Sequence, residues 1–491
     1  MDPRFRIALV AVLGSALGVW IGVALAQEEH FVASLAALVS VWLILAWTGG
    51  PLAEAWLLGF LFFGYVVGNR GFAQLTPIAN LPLFLSELGL AFAVPLVAMR
   101  GAIRQELPLR RDWLNGLLLF WLALACGRIV PDTRTYGFMA LRDFALVYYV
   151  LYFFLAQALA RHAPSRRLLQ RAILVTFAVL PISGLLATIF PEFFLSNLLV
   201  NGVPLIFYKG DLLATFLYTG FVVLLPLEKS AGRNEVWRWV AAIISLVLGL
   251  AIISRASMVG LAVAVGWLAW WGCWRHAKVV GAVCAAGLLA VTVHSLLQKE
   301  DFTQTNAYAI YEAVASIGDF SGDRNYLSDA SGDKGDNNRF RLIWWRNVAE
   351  ETLHDAPVLG LGFGADLSRN FLAEYYPIAD VDFSVRSPHN VFLTTFGRMG
   401  FAGALLLLGI YAALARSTVR AFRMMRDSTA RQGLNLQAAC WVGLCSACFG
   451  VVLEGPMGAI PLWIMLGLAH HAAVEPDAGD DPGTRDGAAR G

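Results

Sequence analysis

Charge is what this sequence has least of. Only 15% of its 491 residues are Asp, Glu, Lys or Arg, while 58% are hydrophobic. A soluble domain carries about 25% charged residues, so this chain cannot solvate a globular surface, and a soluble enzyme is excluded. So apolar a chain is a polytopic membrane protein, which excludes a nucleic-acid binder as well; the net charge of +2 decides nothing by itself. The polar loops contain no cysteine: Cys126, Cys273, Cys284, Cys440, Cys445 and Cys448 all fall inside apolar runs. Neither a loop disulfide nor a thiolate zinc site is available, which removes the secreted disulfide-scaffold class. The thiols read as small packing groups, including Cys445 and Cys448 one helical turn apart. HExxH and Walker patterns are missing too, and with them the zincin metal site and the NTPase phosphate loop.

What is present is a series of apolar runs long enough to cross about 30 Å of hydrocarbon as helices. They predict an all-α polytopic membrane protein of about fourteen transmembrane helices. The spans are expected at about 7–26, 31–48, 52–68, 81–99, 113–130, 144–160, 172–190, 211–227, 237–253, 256–274, 279–296, 389–415, 436–453 and 457–473. Lys and Arg alternate between the connections. The N-terminus and the loops at 100–111, 161–171, 228–238, 275–278 and 416–431 hold 20 of them, and the intervening short loops only 6. The excess marks the cytoplasmic side, so both termini are expected there. Arg4, Arg6, an apolar stretch and Ala24-Leu25-Ala26 resemble a signal peptide. The length of that stretch, and the span that follows at once, favour an uncleaved first helix. No internal repeat of the kind common in transporters is visible.

The chain divides into an N-terminal transmembrane bundle (1–296), a long outer loop (297–388), C-terminal transmembrane helices (389–474) and a tail (475–491) rich in Asp, Gly and Pro that reads as disordered and cytoplasmic. The loop holds 15 acidic and 8 basic residues. Its first half, through Ser321-Gly322-Asp323 and Ser331-Gly332-Asp333-Lys334-Gly335-Asp336, has turn chemistry. Its second half predicts an amphipathic helix over 338–354, with Phe340, Ile343, Trp344, Asn347, Val348 and Glu351 at helical spacing, ended by Pro357.

Ionisable groups at membrane depth are expensive, which makes each a functional candidate. They are Glu54, Glu87, Arg255, His294, Arg398 and Glu454, with Arg142-Asp143 and Lys209-Gly210-Asp211 at span ends. Arg255 sits in a break of two or three residues between spans, where its guanidinium either snorkels to the interface or faces an outward cavity. Ser387-Pro388-His389-Asn390 marks the return of the long loop to the membrane. Ser as N-cap with Pro at the first helical position would put His389 in the first turn, where the helix dipole keeps its imidazole neutral. Arg398, further along that helix, needs a carboxylate or a polar cavity, with Glu454 and Glu87 as candidates. On the loop helix, Arg339, Arg341, Trp344, Trp345 and Arg346 interleave cations with aromatics. Such a face either rests on lipid or clamps phosphate and sugar.

The order Asn338-x-x-Arg341-x-x-x-Trp345, Pro357-x-x-Gly360-x-Gly362-Phe363-Gly364, Ser387-Pro388-His389-Asn390 and Gly397-Arg398-x-Gly400 resembles the signature region of the O-antigen ligase/polymerase superfamily, the Wzy-type C-terminal region. Arg255, Ala140-Leu141-Arg142-Asp143 and Lys209-Gly210-Asp211 look like the patterns of that family as well. The resemblance covers about 140–465 and is densest over 338–400. It implies a GT-C-like, all-helical glycosyltransferase of the bacterial inner membrane with a periplasmic active site. The implied donor is a glycan on undecaprenyl diphosphate; the implied acceptor is lipid A-core for a ligase, or another lipid-linked glycan for a polymerase. No metal and no cofactor are implied, membrane lipids are the surroundings, and the reaction inverts the anomeric carbon. Carried over by resemblance, His389, Arg255 and Arg341 are catalytic, and Arg142, Lys209, Asp211, Arg339, Trp344, Trp345, Asn390 and Arg398 bind substrate.

A transporter or flippase would also have many spans and buried charges, but has no need of a long outer loop ending in Ser-Pro-His-Asn. A protein-glycosylating relative would carry a further C-terminal region. Ligase is favoured over polymerase. The sidedness is tested by single cysteines: one at Ser331 is expected to react with an impermeant reagent in intact cells, and one at Ser230 to stay protected. Labelling at Ser230 would overturn the topology.

Overall fold

A computed structural model describes residues 51–76, 84–105, 109–227, 236–298, 329–375, 386–425 and 432–474, with Thr303, Tyr308, Tyr311, Glu312 and Ala315 between them. The first two expected spans, the cleavage question, the first half of the long loop up to 328 and the tail lie outside the described residues.

The described chain is almost wholly helical, as its apolar periodicity requires. In chain order it comprises α1 (Leu52–Ala73), α2 (Leu85–Arg104), α3 (Trp113–Tyr136), α4 (Phe138–Ala160) and α5 (Ala163–Ile189). A two-stranded hairpin follows, β1 (Leu199–Val200) antiparallel to β2 (Val203–Pro204). Then come α6 (Gly210–Leu224), α7 (Val236–Ile252), α8 (Arg255–Trp270) and α9 (Arg275–Gln298). The long loop supplies α10 (Asp329–Asp355) and α11 (Arg369–Tyr375), and the chain returns as α12 (Val391–Met425), α13 (Gln432–Ala447) and α14 (Pro456–Val474).

Seven of these helices are long and apolar enough to cross a membrane: α1 to α5, α9 and α12. α6, α7 and α8 are apolar but shorter. The protein is therefore a multi-spanning, all-α membrane protein. Helices of the early and late segments share one core: α8 and α6 pack on α13, α14 packs on α4, and α12 on α3. Close approach replaces a hydrophobic drive between such helices. A Cβ at Gly260 of α8 would overlap the backbone of Val442 in α13, so only glycine permits that contact.

Most charges within the spans are satisfied inside the bundle. Arg100 of α2 binds Glu54 of α1. Glu87 accepts from the hydroxyls of Tyr148 (2.6 Å), Tyr149 (2.9 Å) and Ser86 (2.8 Å). His294 lies exposed on α9.

Two local expectations need correction. The loop helix starts at Asp329, so Ser331 to Asp336 are helical rather than a turn. The second correction concerns the helix that follows Ser387-Pro388-His389-Asn390. It begins at Val391, not at Pro388: Asn390 Oδ1 caps it, accepting from the N–H groups of Phe392 (3.0 Å) and Leu393 (3.1 Å). The Pro388 carbonyl, which would have been an early helical acceptor, is taken by Trp345 Nε1 at 2.7 Å. His389 stands outside the helix at φ 56°, held there by the Ser387 hydroxyl, which accepts its backbone N–H at 3.3 Å.

Candidate active site

Four separate elements converge at the end of the bundle beneath α10. The first is the break between α7 and α8. Ile253, at φ 53°, ends α7, and Arg255 opens α8. The second is the start of α6, where Lys209 and Asp211 form a 3.8 Å ion pair. The third is α10 itself, and the fourth the Ser387–Asn390 turn.

Arg255 and Arg341 line the same cavity although 86 positions separate them in the sequence. Its polar part, about 260 Å³, is walled by Asp211, Thr215, Ser254, Ser257 and Ser446 as well as the two arginines. A hydroxyl chain runs along this wall, with Thr215 to Ser257 at 2.8 Å and Ser257 to Ser254 at 2.9 Å. An adjoining part of about 120 Å³ is more apolar, with Val259, Leu342, Trp345 and Phe449 around the same arginines and Asn338. Arg341 Nε is buried without an acceptor from the protein; burial pushes this guanidinium down from its ordinary value, and the Asp211 carboxylate opposes that shift.

His389 lies beside this cluster. Its ring centroid is 6.1 Å from that of Trp344, and its buried Nδ1 makes no hydrogen bond. Burial pushes the imidazole down to about 4; the positive charges of Lys209 and Arg341 add to the shift and Asp211 opposes it. The expected neutrality thus has a different cause from the expected one, since His389 precedes the helix whose dipole was invoked. Next to it, Glu454 accepts hydrogen bonds from the hydroxyls of Ser387 and Thr394, the latter at 2.7 Å. Burial raises the Glu454 carboxyl.

The other expected binding residues divide by geometry. Trp345 lines the cavity. Trp344 is fully buried, stacked on Phe371 (centroids 5.0 Å, planes 12° apart) and bonded through Nε1 to the Leu367 carbonyl at 2.7 Å. Its ring anchors α10 rather than facing open space. Asn390 spends its side-chain oxygen on the helix cap. Arg142 and Arg339 are exposed and line neither part of the cavity.

Arg398 is 2% exposed, and its carboxylate is neither Glu454 nor Glu87 but Asp143 of α4, at 2.7 Å. Its guanidinium also donates to the carbonyls of Gly362 (3.2 Å) and Ala365. The glycine-rich turn after α10 is fastened from several further directions. Asp132 accepts the Phe363 N–H (2.7 Å), Asp143 the Gly364 N–H (3.0 Å), and Arg128 and Arg386 donate to the carbonyls of Gly360 (3.0 Å) and Gly364 (2.6 Å). The turn in turn fills a break in α12 at Gly400, φ 61° and ψ −158°. There the N–H groups of Phe401 and Ala402 donate to the carbonyls of Pro357 (2.8 Å) and Val358 (3.1 Å), while Leu361 N–H donates to Gly397 (2.7 Å). A Cβ at Gly400 would overlap the Val358 carbonyl, and one at Gly360 the Arg398–Gly400 backbone. The two glycine motifs are therefore halves of one joint.

Asp132, Arg128 and Arg386 were missed by sequence reasoning. Asp132 carried a signal, being a carboxylate one helical turn after an arginine near a span end; Arg386 had none. An acidic pair of the Asp-x-Asp kind is not expected on the sequence reading, yet Asp380-Val381-Asp382 has that spacing; it lies outside the described residues. Among the described residues, no three His, Cys, Asp or Glu side chains group as metal ligands would.

Residues 240–408 match a family model described as O-Antigen ligase. The matched stretch is about a third of the chain and contains Arg255, Arg341, His389 and Arg398. No curated protein matches the chain.

The joint yields a stability test. Asp143→Ala removes the partner of a buried guanidinium, a loss of about 3–5 kcal/mol, and is expected to lower the Tm of the purified protein by several degrees. Arg142→Ala, on the exposed side of the same helix, is expected to leave Tm unchanged. Equal effects of the two would refute the assignment of Arg398 to Asp143.

Proposed function

With the O-antigen ligase/polymerase superfamily as its family, we propose that the protein is a glycosyltransferase that moves a glycan from undecaprenyl diphosphate onto lipid A-core, an O-antigen ligase of GT-C-like architecture working at the periplasmic face of the inner membrane. The observation that carries this reading is the convergence of Arg255 and Arg341 on one cavity with Lys209 nearby and the unbonded Nδ1 of His389 beside them. Three cations and one neutral base suit a reaction in which a diphosphate leaves and a hydroxyl attacks.

The acceptor hydroxyl oxygen attacks the anomeric carbon from the face opposite the phosphate. The carbon–oxygen bond to the diphosphate breaks, the configuration inverts, and the hydroxyl proton passes to His389. Undecaprenyl diphosphate departs with the bonding electron pair, and its charge falls on Arg255, Arg341 and Lys209. Fixed guanidiniums stabilise developing charge without reorganising, and their planar forks match phosphate oxygens. No metal is required for that stabilisation. Trp345 and Asp211 line the space where the glycan is held, and Arg398 acts from behind by fixing the turn that carries α10. Polymerase activity, with a lipid-linked glycan as acceptor, uses the same donor side and is the alternative.

An imidazole at about 4 is neutral at pH 7 but a weak base. A bound diphosphate opposes the cations beside it and raises its affinity for a proton. The acid limb of kcat/KM, which reports free enzyme, is therefore expected near pH 4, and that of kcat at higher pH. His389→Ala is expected to cost about 10²–10⁴ in rate with donor binding kept. Arg255→Lys is expected to lose donor binding as well as turnover, because an ammonium cannot replace the fork. Activity of the purified protein is expected to survive EDTA. A well-folded His389→Ala protein working at the parent rate would end the mechanism, and activity lost to EDTA and restored by Mg²⁺ would redirect attention to Asp380 and Asp382.

Acceptor identity is read from a deletion strain. Long glycan accumulating on the lipid carrier is the expected result and means ligase. Lipid A-core capped by a single unit would mean polymerase.

A further inference from the structure

α5 ends at Ile189 and α6 begins at Gly210. The arm between them is neither a span nor a solvated loop. It makes one π turn, Phe193–Asn197, and then the β1–β2 hairpin. The hairpin closes through Asn201 and Gly202, both at positive φ, the two-residue turn whose twist matches that of the strands.

The inner side of the arm is fastened to the bundle. Phe207 N–H donates to the Gly68 carbonyl (3.2 Å), Gly71 N–H to the Phe207 carbonyl (3.3 Å), and Lys209 N–H to Asn69 Oδ1 (3.1 Å). Tyr208 and Ser183 share a hydroxyl bond of 2.7 Å. A Cβ at Gly71 would overlap the Pro204 carbonyl, so α1 and the hairpin meet backbone to backbone.

The outer side is uncovered and mostly apolar, with Glu192, Ser196, Asn197 and Asn201 exposed among the apolar residues. Phe190, Phe193, Leu195, Leu199 and Val200 are exposed, Phe193 by 52%. Glu192 is the only charged residue between Ile189 and Lys209. This surface continues the exposed flank of α5, where Ile182, Leu185, Leu186 and Ile189 face outward. α5 is one of the spanning helices, so the medium that solvates Ile182 and Ile189 is hydrocarbon, and the same medium meets Phe190 and Phe193 next. A water-facing arm would expose an apolar face of this size at a steep hydrophobic cost.

We infer that the arm at 190–207 is a monotopic membrane element, lying in the leaflet on the cavity side with its apolar face among the acyl chains. Such elements sink about 5–10 Å into the headgroup boundary. Lys209 and Asp211 follow the arm directly, and Lys209 is tied to the same Asn69 that anchors it. The arm therefore holds the mouth of the cavity at headgroup depth, where a lipid-borne phosphate meets it without leaving the membrane. Immersion of the arm does not depend on the proposed reaction.

The test places an environment-sensitive fluorescent amino acid at Phe193 or Leu195 of the full chain by codon suppression, with Asp355, at the exposed end of α10, as the reference position. The protein is reconstituted in nanodiscs of phosphatidylethanolamine and phosphatidylglycerol, with or without lipid carrying a doxyl quencher high on its acyl chain. Emission at 193 and 195 is expected to be blue-shifted and quenched at least twofold more than at 355. Quenching at 193 and 195 no greater than at 355 would overturn the inference. Blue-shifted emission that ignores the doxyl lipid and varies with protein concentration would assign the face to a second copy of the chain and would overturn it too.

Discussion

One buried cation organises the half of this protein that carries the long loop. Arg398 lies inside α12 with almost no exposure, and a guanidinium there is tolerable only if its donors are met. Asp143 supplies the countercharge, and the carbonyls of Gly362 and Ala365 supply acceptors. Those carbonyls belong to the glycine turn that follows α10, so neutralising Arg398 also docks the long loop on the bundle. The break at Gly400 completes the fit, because the backbone groups freed in α12 are those that the turn satisfies. Irregular backbone within a spanning helix survives where the protein itself provides partners.

The position of the cavity follows from that docking. α10 is fixed at its C-terminal end by the glycine turn and along its length by Trp344, which packs with Val348, Leu367 and Phe371. Arg341 is three residues before Trp344, so the anchoring of one sets the place of the other. From the far side, Trp345 bonds the Pro388 carbonyl and so ties α10 to the turn that carries His389. The cation facing Arg341 across the cavity, Arg255, comes from a helix start held by the Ser257–Thr215 hydroxyl bond. The groups proposed to act on the substrate are thus positioned by the groups packed and bonded around them.

Ionisable residues of the bundle and of its cavity include two contrasting kinds. Glu54 with Arg100, and Asp143 with Arg398, are charge pairs closed on themselves. Lys209, Asp211, Arg341 and His389 form a cluster with cations in excess and with polar atoms, Arg341 Nε and His389 Nδ1, that no protein group satisfies. An excess of partly buried positive charge beside a cavity is favourable to a bound anion. That asymmetry, rather than the bare presence of charge in the membrane, is what separates a site from a strut.

The sequence by itself determined the class of the protein, the order of the helices from α1 onward with ends up to ten residues out, the existence of the amphipathic loop helix and the residue types that line the cavity. These are local properties: apolar run length, 3.6-residue periodicity and motif spacing. It could not decide which carboxylate met Arg398, because Asp143, Glu87 and Glu454 differ only in where their helices pack. Nor could it separate Trp344, locked against Phe371, from Trp345, open to the cavity, since adjacent residues on one helix face different neighbours. The helix start was misjudged for the same reason. Ser387 and Pro388 carry the stronger local signal, but a tertiary bond from Trp345 takes the Pro388 carbonyl and passes the cap to Asn390. Tertiary structure alone decided which distant groups share a cavity, because burial and charge pairing depend on every element packed around them.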